Sequence, residues 1–102
     1  MSQEEDQPVE IGTLSRELEV RNAHGVHSKP CGRIVLALRN IDAEVWFDKD
    51  GIRASARGLM DVIALGMAQG SRVTIHAEGA DAEKALNVLE DLFDRGFGDM
   101  RN

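Results

Sequence analysis

Residues 43–56 read AEVWFDKDGIRASA, and this stretch predicts a β-hairpin. Its first half alternates, with Val45 and Phe47 on one face and acidic or amphipathic side chains on the other. Such alternation is typical of a strand with one buried face. Asp50 and Gly51 form a tight-turn signal, and a second, weaker alternation follows them. We therefore predict two antiparallel strands joined by a tight turn.

The segments on either side of the hairpin add two strands and three helices. Alternating apolar residues predict the strands. The helices are predicted by apolar residues that fall on one helical face, in the clearest case at i, i+3, i+4 and i+7. The strands cover about residues 14–20 and 72–77, and the helices about 28–39, 59–66 and 82–95. Asp81 is expected to cap the last helix with its side chain, and Gly96 to end it.

This element order, β-α-β-β-α-β-α, determines the predicted fold class. Strands with one apolar face each favour an antiparallel sheet that is covered by helices on one side. We predict an α+β open-faced two-layer sandwich, in which a four-stranded antiparallel sheet carries three helices on one face. The chain has 102 residues and 42% hydrophobic content, which suits one domain with one core.

The charge and hydropathy of the chain narrow the classes of function. The formal net charge is −6, so no basic field is present that would draw nucleic acid or anionic lipid. The longest apolar stretch, Val62 to Ala68, is far shorter than the roughly 20 residues that cross a bilayer. The acidic N-terminus lacks the pattern of a secretory signal, and the single Cys31 suits a reducing compartment. We expect a cytoplasmic protein without nucleic-acid partners or membrane insertion.

Residues 22–31, NAHGVHSKPC, carry the chemistry that the sequence offers. His27 lies in a glycine-containing loop one residue before a predicted helix, whose N-terminus presents free N–H groups and partial positive charge. Such an end favours an anion and a neutral imidazole, whose lone pair can attack phosphorus. Ser28 and Lys29 are then candidate phosphate-binding residues. Gly25 would let the loop turn back over the helix.

The same residues permit other interpretations. A loop histidine is often a solvated side chain or a helix cap. His24, His27 and Cys31 have spacings that a zinc ion could use, but a fourth ligand is lacking and the helical phase of Cys31 points to the core. A cysteine nucleophile paired with His27 meets the same objection, because a buried thiol ionises poorly. We therefore expect no metal and no cofactor.

The stretch Gly-Val-His-Ser-Lys-Pro, residues 25–30, resembles the Gly-Leu-His-Ala-Arg-Pro signature of the histidine-containing phosphocarrier family HPr. The resemblance extends from about Leu14 to Gly96 with the order of strands, helices and glycines intact. Its further matching segments are Asp50-Gly51, Arg57-Gly-Leu-Met60, Leu65-Gly66 and residues 69–79. The family fold is the open-faced sandwich predicted above from the residue patterns.

The resemblance implies a carrier, not an enzyme, and names its partners. His27 would accept a phosphoryl group from Enzyme I and pass it to an EIIA-type domain in sugar uptake, with Lys29 offsetting the phosphate charge. Partner docking would involve Arg57, Leu59, Met60 and Ile63, for which solvated charge or core packing is the alternative. The carrier domain would span residues 14–96, between an acidic tail, 1–13, and a short tail, 97–102, in a monomer.

A regulatory binding module that uses the same residues without sugar transport is the alternative function. Two departures from the family pattern bear on both readings. Lys29 stands where the family usually has arginine. Lysine lacks the planar fork with which arginine binds phosphate through two hydrogen bonds. Gly58 stands where many relatives carry a serine that a kinase phosphorylates, so this control is expected to be missing.

Overall fold

A computed structural model describes residues 13–23, 25–26 and 28–97, with the side chain of Ser28 outside the described part. Within these residues the chain forms four strands and three helices in the predicted order. They are β1 (Thr13–Glu19), α1 (Ser28–Ala37), β2 (Glu44–Lys49), β3 (Ile52–Ser55), α2 (Leu59–Ala64), β4 (Arg72–Glu78) and α3 (Ala82–Asp94). None of the described helices is long and apolar enough to cross a bilayer.

The four strands form one sheet in the order β1-β4-β2-β3, and every neighbouring pair is antiparallel. The predicted hairpin is the β2–β3 pair, with Phe47 opposite Ala54 on one side and opposite Ile75 of β4 on the other. Asp50 and Gly51 both adopt positive φ at the turn, as a tight hairpin requires. The predicted α+β open-faced sandwich is therefore confirmed.

The core lies between one face of the sheet and the helices. Phe47 of β2 packs near Phe93 of α3, and Phe93 packs near Phe97, with ring centroids 6.2 and 5.1 Å apart. Phe97 is fully buried although it lies one residue past the predicted end of the domain. Its N–H donates to the Leu92 carbonyl oxygen at 2.8 Å, after Gly96 has ended α3 with positive φ. The packed core thus reaches residue 97.

Edge strand β1 shows a polar exception on the inner face. The guanidinium of Arg16 donates to Glu90 Oε1 at 2.6 Å and to Asn87 Oδ1 at 2.9 Å, both on α3. Leu14 lies on the same face as Leu18 but is 41% exposed, because it lies next to the start of an edge strand. The inner face of β1 is therefore sealed by Leu18 and by this ion pair.

Asp81 does not cap α3 with its side chain, which corrects the prediction from the sequence. Its Oδ2 accepts a hydrogen bond from the Asp42 backbone N–H at 2.8 Å, and its own N–H donates to the Asp42 carbonyl oxygen at 2.9 Å. The carboxylate is committed to the segment before β2. It therefore ties the start of α3 to that segment instead of satisfying the first turn of the helix.

The open face of the sheet carries a chain of polar contacts that involves all four strands. His76 on β4 contacts Ser15 Oγ of β1 through Nδ1 and Asp48 Oδ2 of β2 through Nε2, each at 2.8 Å. Arg53 of β3 donates to both oxygens of Asp48 at 3.0 and 3.4 Å. Trp46 stacks on His76 with centroids 5.5 Å apart, and the Arg53 guanidinium lies 5.1 Å from its ring centroid.

Because of these contacts, we predict that the ionisation of Asp48 makes the free energy of unfolding depend on pH in the acidic range. The hydrogen bond from Arg53, together with the nearby His76, lowers the pKa of Asp48 below its ordinary value. A lowered pKa in the folded state contributes stability above the unfolded-state pKa of about 3.9, and this contribution is lost as the pH falls through the folded-state pKa.

The measurement is urea unfolding of wild type and Asp48→Asn between about pH 3 and pH 6, the range around the ordinary carboxyl pKa. We expect the variant to be less stable near pH 6 and the difference to shrink toward pH 3. A difference that stays constant across this range would contradict an ionisation-linked role for Asp48.

Candidate functional site

The loop between β1 and α1, residues 20–27, is held against the segment that follows α2. The N–H of Val26 donates to the Met67 carbonyl oxygen at 2.8 Å, and the Val26 side chain is buried. Gly25 has φ +71, and a Cβ at this position would lie 2.5 Å from the same carbonyl oxygen. Only glycine fits this approach without displacement of the backbone. Two features therefore require glycine at position 25: its positive φ and the close approach of the Met67 carbonyl oxygen.

Three further hydrogen bonds join the β1–α1 loop to residues 67–71. The N–H of Val20 donates to the Ser71 carbonyl oxygen at 2.9 Å, and the N–H of Gly70 donates to the Val20 carbonyl oxygen at 2.8 Å. Gln69 Nε2 donates to the Arg21 carbonyl oxygen at 3.1 Å. The β1–α1 loop and the segment 67–71 therefore form one hydrogen-bonded unit.

His27 and His24 lie outside the described residues, as does the side chain of Ser28. In the sequence His27 directly precedes α1, which begins at Ser28. The first turn of α1 contains no acidic residue, Lys29 is exposed and Pro30 is buried. The helix therefore offers its N-terminal partial positive charge without a competing carboxylate of its own, which suits an anion bound beside residue 27.

Cys31 is fully buried in the core, as its helical phase predicted. Burial raises the pKa of its thiol to about 11. At neutral pH the group is protonated, and a protonated thiol is a poor nucleophile and a poor metal ligand. This finding counts against both interpretations that gave Cys31 a chemical role.

The predicted docking residues of α2 differ in exposure. Met60 is 70% exposed and Leu59 is 40% exposed, whereas Ile63 is partly buried and packs against the core. Val62, the residue before Ile63, is buried. Two apolar side chains thus face solvent on α2, the helix that leads into the segment bonded to the β1–α1 loop. Their part in docking stays a prediction.

The guanidinium of Arg57 binds three carbonyl oxygens that follow the C-terminus of α1. It donates to Leu38 O and Ile41 O at 2.7 Å each and to Ala43 O at 2.8 Å. These carbonyls gain a charge-assisted partner, and the positive charge lies near the negative end of the helix. A docking role for Arg57 would have to coexist with this internal one.

We predict that Arg57→Ala lowers the free energy of unfolding by about 1–3 kcal/mol, because three carbonyl groups lose a charged donor. The free energy of unfolding of Arg57→Lys should lie between those of wild type and Arg57→Ala, since one ammonium group cannot reproduce the planar fork. Urea unfolding measures both effects. Unchanged stability together with weakened partner binding would instead assign Arg57 to docking.

Sequence reasoning missed the contribution of Asn22 to this site. Its Nδ2 donates to the Gly25 carbonyl oxygen at 2.7 Å, within the turn that the Gly25 N–H closes on the Asn22 carbonyl oxygen at 3.1 Å. The signal was present, because asparagine three residues before glycine is a common way to close a turn. The carbonyl of Met67 could not be found in this way, since it arrives from a distant segment.

Residues 14–95 match the family model PTS-HPr, described as the PTS HPr component phosphorylation site. The chain is 33% identical over 93 residues to the phosphocarrier protein HPr of Chlamydia muridarum, covering 91% of this chain and 89% of that protein. It is 38% identical over 89 residues to the multiphosphoryl transfer protein of Escherichia coli O157:H7, covering 84% of this chain but only 24% of that protein.

Solved structures agree with these sequence matches. The crystal structure of HPr-C-His from Thermoanaerobacter tengcongensis has a TM-score of 0.81 and 31% identity, covering 84% of this chain and 97% of that one. An HPr dimer from the same organism has a TM-score of 0.68 and 33% identity, covering 80% and 94%. The catabolite repression protein Crh of Bacillus subtilis, in a domain-swapped dimer, has a TM-score of 0.66 and 27% identity, covering 79% and 93%.

Proposed function

We propose, because this chain belongs to the HPr family of phosphocarriers, that His27 accepts a phosphoryl group from Enzyme I and passes it to an EIIA-type domain. One observation carries the proposal. In the sequence, residue 27 joins a loop whose described residues are hydrogen-bonded to residues 67–71 to the acid-free N-terminus of α1. A phosphorylated residue at this position would meet free backbone N–H groups and the positive end of the helix.

The transfer needs a neutral imidazole and a stabilised product. A ring nitrogen of His27 would form the new bond to phosphorus with its lone pair while the bond between phosphorus and the donor breaks. The donor keeps the electrons of that bond. The helix end favours the neutral imidazole before the reaction and the anionic phosphoryl group after it. The same environment would then release the group to an acceptor that binds it in a similar way.

Docking on α2 is part of the proposal. Exposed Leu59 and Met60 would contact both partners, and Ile63 would support them from its half-buried position. Apolar side chains on an otherwise charged surface are a common mark of an interaction site. The exposed stem of Arg57 can contribute apolar surface while its guanidinium stays on the three carbonyl oxygens.

Lys29 is proposed to offset the charge of the phosphoryl group. Since its side chain is exposed, Lys29→Ala should leave stability unchanged and slow transfer by about three- to tenfold, because a screened charge contact is worth about 1 kcal/mol. Lys29→Arg should match or exceed wild type. Rapid-quench transfer from phosphorylated Enzyme I measures the effect. If the alanine variant is as fast as wild type, backbone N–H groups alone hold the phosphoryl group.

The proposed function is tested by incubating the protein with Enzyme I and phosphoenolpyruvate. We expect one added phosphoryl group by intact mass, which is lost after brief acid treatment because a phosphorus–nitrogen bond to imidazole is acid-labile. Addition of an EIIA-type domain should discharge the carrier. An absence of any adduct, or an acid-stable one, would contradict the proposal.

The likeness to Crh supports a second candidate function, a regulatory module that acts through phosphorylation-dependent contacts without sugar transport. Such a module would still be charged by Enzyme I but would not discharge to an EIIA-type domain. The discharge step therefore separates the two candidates. The same experiment tests both proposed partners, because charging requires Enzyme I and discharge requires the EIIA-type domain.

A cytoplasmic location and a monomeric state complete the proposal. The single Cys31 is a free thiol, which suits a reducing compartment. Sedimentation velocity tests the monomer, and it is needed because similar solved chains include dimers. A sedimentation coefficient that rises with protein concentration would show self-association.

A further inference from the structure

The side chain of Asn22 makes contacts that a solvated loop residue would not make. Its Nδ2 donates to the Gly25 carbonyl oxygen at 2.7 Å, while its backbone carbonyl accepts from the Gly25 N–H at 3.1 Å. One residue therefore holds both polar backbone groups of Gly25. On the other side of the loop, the Met67 carbonyl oxygen accepts from the next residue, Val26. The two residues before position 27 are thus held from two sides.

The other end of the carboxamide is also informative. Asn22 Oδ1 is buried and has no hydrogen-bond partner among the residues that the structure describes. A buried acceptor without a partner costs about 1–3 kcal/mol, so its presence calls for a reason.

The position of Asn22 is set by the core and not by the loop alone. A Cβ added to Gly96 would lie 3.7 Å from the Asn22 Cβ, so Asn22 packs beside the end of α3. Gly96 is followed by the fully buried Phe97. The Cβ of Asn22 therefore lies against a packed part of the molecule, which suits a residue that orients a reacting group.

We propose that Asn22 is a positioning residue for His27: its carboxamide fixes the Gly25 carbonyl and thereby the direction in which the chain enters the phosphoryl acceptor. The inference rests on the proposed function of His27. Asn22 need not touch the phosphoryl group. It acts through Gly25, and its loss lets the imidazole sample orientations that are poor for in-line attack. A misplacement of about 1 Å can cost up to about a hundredfold in rate.

The test compares Asn22→Ala and Asn22→Asp with wild type and with Asn40→Asp. Asn40 is an exposed residue beyond the C-terminus of α1, the end of the helix opposite Ser28, so it controls for the added charge. Rapid-quench transfer from phosphorylated Enzyme I is measured against carrier concentration. We expect the saturating rate of both Asn22 variants to fall about tenfold or more, with half-saturation changed less than about twofold.

The pH dependence of Asn22→Asp separates positioning from a general loss of stability. A carboxylate cannot donate to the Gly25 carbonyl, whereas a protonated carboxyl can. The ratio of the variant rate to the wild-type rate should therefore rise as the pH falls from about 7 toward about 5, nearer the ordinary carboxyl pKa. The ratio for Asn40→Asp should stay flat. Thermal unfolding, recorded in parallel, verifies that the variants are folded.

Three results would overturn the inference. Saturating rates equal to wild type would show that Asn22 does not orient the acceptor. A loss that appears only in half-saturation, or a flat pH ratio for Asn22→Asp, would assign Asn22 to docking or to stability. Failure of the proposed function looks different, because wild type itself would then form no acid-labile adduct.

Discussion

Replacement of His27 by alanine is expected to abolish the acid-labile phosphoryl adduct completely. In the sequence His27 directly precedes the acid-free first turn of α1, where free N–H groups of the helix can bind a phosphoryl group. The measurement is intact mass after incubation with Enzyme I and phosphoenolpyruvate, repeated after acid treatment. Since the loop is held by backbone contacts on both sides, the variant should remain folded.

The other two histidines provide matched controls. His76 contacts Asp48 and Ser15 through its two ring nitrogens on the open face of the sheet, so His76→Ala should leave the adduct intact. His24→Ala should also retain it. An adduct of undiminished size in His27→Ala would remove His27 from the mechanism, and peptide mapping would then identify the true acceptor.

Gly25→Ala is expected to have the largest effect on stability. The backbone at position 25 has φ +71, and a Cβ there would lie 2.5 Å from the Met67 carbonyl oxygen and 3.0 Å from the Ala68 Cα. Strain at positive φ and the displacement of packed backbone together should cost about 2–4 kcal/mol. Urea unfolding gives the cost. The transfer rate should fall as well, because relief of the clash breaks the Val26–Met67 hydrogen bond.

Gly51→Ala separates the two causes. Gly51 has φ +83 at the hairpin turn, and nothing lies within 4 Å of a Cβ placed there. This variant therefore carries the conformational strain alone and should cost about 1 kcal/mol while the transfer rate stays at the wild-type level. Equal costs for the two variants would mean that the close approach to Met67 contributes nothing.

The local features of the fold were readable from the sequence because they depend on near neighbours. The alternation around Phe47 and the turn at Asp50 and Gly51 predicted the β2–β3 hairpin, and the structure confirms it. The burial of Cys31 followed from the helical phase of α1. Each of these inferences needs only the periodicity of one element and the conformational preferences of its turn.

Features that depend on distant segments were not readable. The Asp81 carboxylate has two possible hydrogen-bond donors, its own helix and the Asp42 N–H, and only the folded chain brings the second within 2.8 Å. The carbonyl oxygens that Arg57 binds are likewise gathered by the end of α1 and the segment before β2. In the site, the contact of Asn22 with Gly25 gains meaning only from the Met67 carbonyl oxygen, which a distant segment brings to the next residue, Val26.

The strand order also has a consequence for how the chain folds during its synthesis on the ribosome. Strand β1 pairs only with β4 in this sheet, so that Thr13 lies opposite Glu78. Strand β1 therefore leaves the exit tunnel well before β4, the strand with which it pairs. The hairpin β2–β3 can close early, whereas Leu18 and Val20 stay without their final cover until β4 and α3 emerge. The described residues of the β1–α1 loop consequently take their final place late, when residues 67–71 have been synthesised.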